Sequence, residues 1–396
     1  MPSENKFIIL TPHSVLKNLE ESYLYDIEKD ELYELNADAY QFLLQICQGT
    51  NPPIREEDEE FIQFCLSENL IAFSETPLLE KVPLNPSPIP SLRYLELQVT
   101  DRCNLQCHHC YIGESSHQDL SKKQIQTVLE EFEEIQGLRL LISGGEPLLH
   151  PHFWEINDIL RNYAFRSILL SNGTLITKEV AKKLHVHEVQ VSLDGMKEGH
   201  ESLREKGTFE KTMAAIDHLQ EANIRVSVAT MIHRRNLSEF DQLASLLQSK
   251  HIEEWNVDVP CVEGRLKTHQ DFWVSPPEAG LYLNYGYGGG FHGSTKNFTC
   301  GAHLCAIISN GRVCKCGLFS EEPVGSIEEG LWACWQRIPR IPLKELTCKC
   351  SEIEVCRGGC RYRANHQSGL FQPDLFQCYA RGVLKGGEEN EHQKGV

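Results

Sequence analysis

The chain has 396 residues, of which 41% are hydrophobic and 24% charged, and its formal net charge is −18. This length predicts two or three domains, and acidity of this size argues against nucleic acid as a partner. No apolar run approaches the roughly 18 residues of a membrane span, and the N-terminus has no signal-peptide pattern, so we expect a cytoplasmic protein without a membrane partner.

Residues 1–81 are predicted to form a small winged-helix-like α+β domain. Short aromatic or β-branched runs predict three strands, at residues 6–10, 22–26 and 31–35. Asn36 is expected to cap a helix that ends at Cys47, and a second helix over residues 56–67 is expected to bury Phe61, Phe64 and Cys65. Residues 1–80 contain 17 acidic and 4 basic side chains, which indicates either a solvated helix face or a docking surface for a basic peptide.

Residues 82–91 contain four prolines and predict a stiff linker. After the linker, apolar β-runs alternate with helical stretches over residues 92–294. The predicted strands are 94–99, 138–143, 167–170, 188–193, 225–231 and 254–259. This alternation predicts an α/β fold, a partial (β/α)6 barrel, in which ligands bind at the carboxyl ends of the strands.

Eleven of the 16 cysteines form two separate groups, and without an export signal we expect reduced thiolates that bind metal. The first group, Cys103, Cys107 and Cys110, occupies the loop after the first barrel strand. A [4Fe–4S] cluster takes four ligands, so three protein thiolates leave one iron open to a cofactor. Zinc is the alternative, but no second pair of cysteines lies near Cys103 to complete a zinc ribbon.

This loop resembles that of the radical S-adenosylmethionine (SAM) superfamily. The resemblance implies a SAM-cleaving [4Fe–4S] cluster at the three cysteines and a SAM site at the strand ends. His109 and Tyr111 would line the adenine or simply pack the loop. Ser143-Gly144-Gly145-Glu146-Pro147 resembles the motif that holds the methionyl amino group of SAM. The implied ribose contacts are Ser171, Asn172, Ser192 and Asp194, and Arg204 would pair with the SAM carboxylate, although Asp194-Gly195 could also be only a turn.

The second group of cysteines resembles the SPASM domain of peptide-modifying radical SAM enzymes, here over residues 295–383. The resemblance implies two auxiliary [4Fe–4S] clusters. Cys300, Cys316 and Cys360 would hold the first, with Cys305 as fourth ligand. Cys348, Cys350, Cys356 and Cys378 would hold the second, although a single residue separates Cys348 from Cys350 where the family has two. Cys314 is a spare thiol. The Cys-rich segment is expected to depend on metal because it has too few apolar runs to bury a core, and residues 384–396 form a polar tail.

The N-terminal domain resembles the RiPP recognition element, which binds leader peptides. Together these resemblances imply a radical SAM maturase of a ribosomally synthesised peptide, supplied with electrons by a reductant such as flavodoxin or ferredoxin. An oxidative cross-link, most often a thioether, is the expected product. The alternatives are a sulfatase-type formylglycine-generating maturase and a non-catalytic iron–sulfur scaffold. A general base is not identified among Asp258, Cys261, Glu263 and Asp271.

Overall fold

The computed structural model describes residues 6–50, 52–79, 86–290, 292 and 297–385. The predicted linker before residue 86, the first two residues of the predicted Cys-rich segment and the tail from residue 386 lie outside these ranges. No helix in the described ranges is long and apolar enough to cross a membrane.

The N-terminal region contains five strands and two helices. They are β1 (Phe7–Leu10), β2 (Ser14–Asn18), β3 (Ser22–Asp26), β4 (Glu31–Glu34), α1 (Ala37–Cys47), α2 (Glu59–Ser67) and β5 (Ile71–Ser74). Strands β2, β3 and β4 form an antiparallel sheet in that order, and β1 pairs with β5. The three predicted strands are confirmed, but β2 and β5 escaped prediction. In β2 a buried lysine, Lys17, hides the apolar alternation that marks a strand.

The two helices follow their predicted caps but not all of their predicted burial. The Asn36 side chain accepts a hydrogen bond from the Ala39 amide at 2.8 Å, as expected of an N-cap. In α2 the buried residues are Ile62 and Cys65. The prediction that Phe64 is buried is wrong, because its side chain is 43% exposed. Ile62 and Cys65, three residues apart, share the inner face of the helix, and Phe64 lies off that face.

The barrel follows the predicted alternation. All six predicted strands are present as a parallel set, with helices between them: β6 (Tyr94–Thr100), α3 (Lys122–Glu134), β7 (Arg139–Gly144), α4 (Phe153–Leu160), β8 (Arg166–Ser171), α5 (Lys178–Ala181), β9 (Glu188–Ser192), α6 (Lys197–Leu203), α7 (Thr208–Glu221), β10 (Arg225–Met231), α8 (Phe240–Ser249) and β11 (Glu254–Asp258). The α/β fold class is confirmed.

The Cys-rich segment continues the barrel sheet. Its elements, with the short helix before it, are α9 (Pro276–Ala279), β12 (Phe298–Cys300), β13 (Leu304–Ile307), β14 (Arg312–Cys314), β15 (Gly325–Ser326), α10 (Leu331–Arg337), β16 (Ile341–Pro342), α11 (Ile353–Cys356), α12 (Arg361–Gln367) and α13 (Leu375–Ala380). Strand β13 pairs with β6, which extends the sheet to nine strands. Residues of β13, β14 and α10, including Ile307, Val313 and Trp335, belong to the barrel's own hydrophobic core. The prediction that this segment cannot bury enough core is therefore wrong for its first half, which shares the core of the barrel.

The N-terminal region is bound to the amino ends of the barrel strands. Lys17 is buried and donates to the carbonyl oxygens of Gly137 and Ala164 at 2.9 and 2.7 Å. The Arg166 guanidinium, also buried, donates to the Ile27 carbonyl at 2.8 Å. Asp30 lies 2.6 Å from the Arg139 guanidinium. The two parts therefore pack as one unit, on the face of the barrel opposite the strand ends that carry the cysteine loop.

Candidate active site

The loop between β6 and α3 carries Cys103, Cys107 and Cys110, and a buried carboxylate organises it. Asp101 accepts hydrogen bonds from the Ser116 amide at 2.9 Å and the Gln118 amide at 2.8 Å. Burial raises the pKa of Cys107 to about 11, a rise that Arg204 opposes and that the charges of Cys103 and Cys110 increase. The three thiols are thus close enough to influence one another, and a bound metal would supply the positive charge that keeps them deprotonated.

The Gly144-Gly145 pair lets the loop after β7 dock on the start of the cysteine loop. Gly144 has φ +140°, and a Cβ there would lie 2.1 Å from the Thr100 carbonyl oxygen; at Gly145 it would lie 2.3 Å from that of Arg102. The Gly145 amide donates to Thr100 at 2.9 Å. Pro147 then begins a 3-10 turn. The glycines are needed for close approach to the protein's own backbone, a reason that the sequence did not reveal.

Glu146 connects this loop to the end of β8. It has no exposed surface, and its carboxylate accepts hydrogen bonds from the Ser171 hydroxyl at 3.0 Å and the Asn172 amide at 2.9 Å. Burial raises its pKa to about 7. The Asn172 side chain donates to the Asn104 side chain at 3.0 Å, within the cysteine loop. Glu146, Ser171 and Asn172 therefore lie together, but the side chains of Glu146 and Ser171 bind each other.

Asp194 and Arg204 form a buried ion pair behind the cysteine loop. Arg204 Nε lies 2.5 Å from the Asp194 carboxylate, whose side chain has no exposed surface. Arg204 Nη1 also donates to Cys107 Sγ at 3.8 Å. Because Asp194 is enclosed, its carboxylate positions Arg204 instead of reaching towards a ribose, whereas Ser192 nearby is only half-buried. Arg204 is thus held beside Cys107, one of the three thiols that would hold the cluster.

His109 and Tyr111, the expected adenine neighbours, lie in different surroundings. Nδ1 of His109 is buried without a partner among the described residues, and burial lowers its pKa to about 3, so the ring is neutral. The Tyr111 hydroxyl instead donates to Glu96 Oε1 at 3.2 Å and accepts from the side-chain Nε2 of Gln98 at 3.0 Å. Glu96 and Gln98 were missed by sequence reasoning; their spacing of two in β6 is the signal that they share one face of the strand.

The Cys-rich segment forms a cavity lined by cysteines. Cys300, Cys316 and Cys360 line a space of about 520 Å³ together with Lys315 and Arg361. Arg361 is only 1% exposed, and its Nε and Nη2 atoms have no hydrogen-bond partner in the described part of the chain. Arg361 is close enough to Cys300 for its charge to act on that thiol. Buried guanidinium donors beside thiols fit an anionic cluster, because hydrogen bonds to the sulfur atoms and nearby positive charge stabilise it.

The remaining four predicted ligands also come together. Burial raises the pKa of Cys378 to about 12, and the charges of Cys348, Cys356 and Cys350 act in the same direction, so all four thiols are neighbours. Gly358 and Gly359, which follow Cys356, have φ of +80° and +70°, a left-handed backbone that glycine adopts without steric cost. In the described residues no three His, Cys, Asp or Glu side chains converge tightly enough to bind a single ion; the thiolates of a cubane bind separate iron atoms.

Cys305 departs from its expected place. It is fully buried in β13, inside the barrel core. Its thiol neighbours are Cys334 and Cys314, not the cysteines that line the cavity. Cys314 is also fully buried. The structure therefore brings ten of the eleven predicted cluster cysteines into three groups and leaves Cys305 outside them.

Comparison with known proteins identifies a radical SAM domain in the barrel. Residues 97–247 match the family model described as the radical SAM superfamily. An AdoMet-dependent heme synthase of Methanosarcina barkeri is 27% identical over 341 residues, which are 73% of this chain and 97% of that protein. The mycofactocin maturase MftC of Mycolicibacterium smegmatis is 28% identical over 303 residues, which are 67% of this chain and 77% of that protein.

Two solved structures share the fold. The crystal structure of Streptococcus suis SuiB bound to precursor peptide SuiA has a TM-score of 0.66 at 12% identity, covering 94% of this chain and 100% of that chain. Native anSMEcpe with bound AdoMet and Cp18Cys peptide has a TM-score of 0.58 at 18% identity, covering 73% of this chain and 95% of that chain. The match to SuiB therefore extends over more of this chain.

Proposed function

This chain is an enzyme with a radical SAM domain, and on that premise we propose that it is a maturase that cross-links a ribosomally synthesised precursor peptide. The observation that carries the peptide as substrate is an open groove on the N-terminal domain. Two relatives support it: one is named a maturase, and the other was crystallised with its precursor peptide.

The groove lies between the edge strand β4 and helix α2. In the described residues β4 pairs only with β3, so its outer backbone groups are available to a further strand. The groove measures about 500 Å³ and is lined by Glu31, Leu32, Tyr33, Phe64 and Glu68. The rings of Tyr33 and Phe64 lie 5.6 Å apart in an edge-to-face pair. An added peptide strand would gain backbone pairing from β4 and side-chain contact from these rings.

Charge favours a basic leader segment. Glu31 and Glu68 contribute carboxylates to the groove, and residues 1–80 contain 17 acidic and 4 basic side chains. Complementary charge increases the association rate and the selectivity of such a contact. We therefore propose a net basic leader whose binding weakens as salt rises.

The chain's own residues account for holding the reactants. Cys103, Cys107 and Cys110 would hold the SAM-binding [4Fe–4S] cluster, and Arg204, fixed by Asp194, would bind the SAM carboxylate. When SAM is bound and the cluster has been reduced by a flavodoxin or ferredoxin, the two together would supply the radical that removes a hydrogen atom from the peptide. The cysteines of the Cys-rich segment would hold two auxiliary clusters, which would supply an electron acceptor.

The proposed bond is a thioether between a cysteine sulfur and a carbon of the peptide. Its formation removes two hydrogens from the peptide. One leaves the carbon as a hydrogen atom and ends in 5′-deoxyadenosine. The other leaves the thiol as a proton, and the accompanying electron passes to an auxiliary cluster, so one electron enters with SAM cleavage and one is recovered.

Three other functions make different predictions. A formylglycine-generating maturase would leave an aldehyde on the peptide, and a scaffold would form no 5′-deoxyadenosine. A heme synthase has no use for a peptide groove. The sequence matches themselves do not separate the two functions, because the heme synthase aligns with 73% of this chain and the maturase MftC with 67%. The groove on the N-terminal domain is thus the feature that favours a peptide substrate.

The experiment is co-expression with the products of neighbouring small reading frames, followed by mass spectrometry for loss of two hydrogens. Phe64→Ala should then weaken binding of the identified peptide about tenfold, which is typical of removing an aromatic interface anchor. Phe73→Ala is the matched control, because Phe73 is 37% exposed in β5 of the same domain but outside the groove.

The outcomes separate the alternatives. Loss of two hydrogens from a peptide that carries neither an aldehyde nor a disulfide, with Phe64→Ala impaired and Phe73→Ala normal, supports the proposal. Equal peptide affinity in both variants would show that the groove is not the leader site. An aldehyde on the peptide would show that the enzyme forms formylglycine and not a cross-link.

A further inference from the structure

Cys261 lies outside the Cys-rich segment, in the loop that follows β11. The same loop touches the SAM-cluster loop, because the Arg265 amide donates to the Cys110 carbonyl at 3.0 Å. Gly264 has φ +51°, and a Cβ there would lie 2.2 Å from that oxygen. The loop therefore passes directly beside the cysteine loop of the barrel.

The other side of this loop is fixed to helix α12. Asp258, at the end of β11, forms an ion pair with the buried Arg363. Glu263 lies 3.5 Å from the His366 side chain. Cys360 is the N-cap residue of this helix, and its amide donates to Asp374, which also binds Arg363 at 2.9 Å. Cys261 is thus held beside Cys360 by contacts on both sides of it.

Each thiol near the cavity lies close enough to another thiol for their charges to interact. Cys360 and Cys316 are both close enough to Cys261 for their charges to act on it. Cys316 is influenced in the same way by Cys300, and Cys300 by Cys360. Cys300, Cys316 and Cys360 line the cavity together with Asp258, and Cys261, three residues after Asp258, lies beside Cys360 at its edge.

The geometry of strand β13 excludes Cys305, the fourth ligand that the resemblance implies for this cluster. Leu304 lines the cavity, and successive side chains of a strand point to opposite faces. Cys305 accordingly points away from the cavity into the core, where its exposed fraction is zero. A shift of one residue in β13 would be needed to bring it to the cysteines.

We infer that Cys261 is the fourth protein ligand of the auxiliary cluster held by Cys300, Cys316 and Cys360. This inference rests on the proposed function, which supplies that cluster. The barrel loop that also contacts Cys110 would then be bonded directly to the auxiliary cluster through Cys261. It also leaves no open iron there for a substrate thiolate, so this cluster serves electron transfer.

The test uses the full chain with Cys103, Cys107 and Cys110 replaced by Ala, so that only the auxiliary sites bind iron. After anaerobic reconstitution this parent should hold about eight iron per chain. Cys261→Ala is added to it, with Cys305→Ala and Cys334→Ala as matched controls from the buried core. Iron, sulfide and the electron paramagnetic resonance spectrum after dithionite reduction are measured with and without 2-mercaptoethanol.

We expect both controls to keep the parent's iron and a spectrum that 2-mercaptoethanol does not change. Cys261→Ala should either lose about four iron or keep them with a spectrum that the added thiol shifts, because one iron has lost its ligand. Parental iron and a thiol-insensitive spectrum in Cys261→Ala would overturn the inference, as would these effects in Cys305→Ala with unchanged circular dichroism. A parent without iron would instead overturn the auxiliary clusters of the proposed function, and the inference with them.

Discussion

Asp194→Asn tests whether the Arg204 guanidinium binds SAM. Asparagine keeps the size of the side chain and can still accept the hydrogen bond that the Met231 amide donates at 2.8 Å. It removes the charge that Arg204 Nε contacts at 2.5 Å. Arg204 then loses the partner that fixes it beside Cys107.

The expected effect follows from the burial of the pair. Removing one partner of a buried ion pair costs about 3–5 kcal/mol, of which the lost charged hydrogen bond represents about 1.5–3 kcal/mol. If SAM binding loses this part of the free energy, the affinity for SAM should fall about 10- to 100-fold, because each 1.4 kcal/mol corresponds to a factor of ten. With SAM at saturation, formation of 5′-deoxyadenosine should largely recover, because the substitution affects binding.

The assay is equilibrium dialysis of SAM against the reconstituted enzyme, with iron content measured in parallel. Asp271→Asn is the matched control, since the Asp271–Arg235 pair has a similar separation of 2.6 Å but both side chains are more than half exposed. Exposed pairs contribute about 0–1 kcal/mol, so the control should bind SAM almost normally. Parental affinity in Asp194→Asn, with iron intact, would refute the assignment of Arg204 to the SAM carboxylate.

Two further changes address the Cys-rich segment and the domain junction. Cys378→Ala should still form 5′-deoxyadenosine but yield no cross-linked peptide by mass spectrometry, because SAM binds in the barrel and the electron acceptor is lost; full product yield with normal circular dichroism would exclude that role. Burial lowers the pKa of Lys17 to about 7, so between pH 7 and about 10 the unfolded chain holds one more proton and stability should rise with pH, by up to about 1.4 kcal/mol per pH unit. In Lys17→Met the melting temperature should therefore rise less between pH 7 and pH 9 than it does in the parent protein. An equal rise in both proteins would show that Lys17 does not cause the pH dependence.

The sequence by itself determined the features that depend on neighbours along the chain. Six strands alternating with helices, the Asn36 cap and the three-cysteine loop could all be predicted, because strand and helix periods and capping are local properties.

Only the tertiary structure decided which surfaces meet. Phe64 lines an open groove because the neighbouring positions Ile62 and Cys65 fill the core. Lys17 is buried because the barrel supplies carbonyl oxygens about 120 and 147 residues later in the chain. Cys305 points into the core and Leu304 towards the cavity because β13 pairs with β6 in one register. A one-residue shift would reverse the face of every side chain in that strand, and the register depends on a partner strand some 210 residues away, which no local pattern specifies.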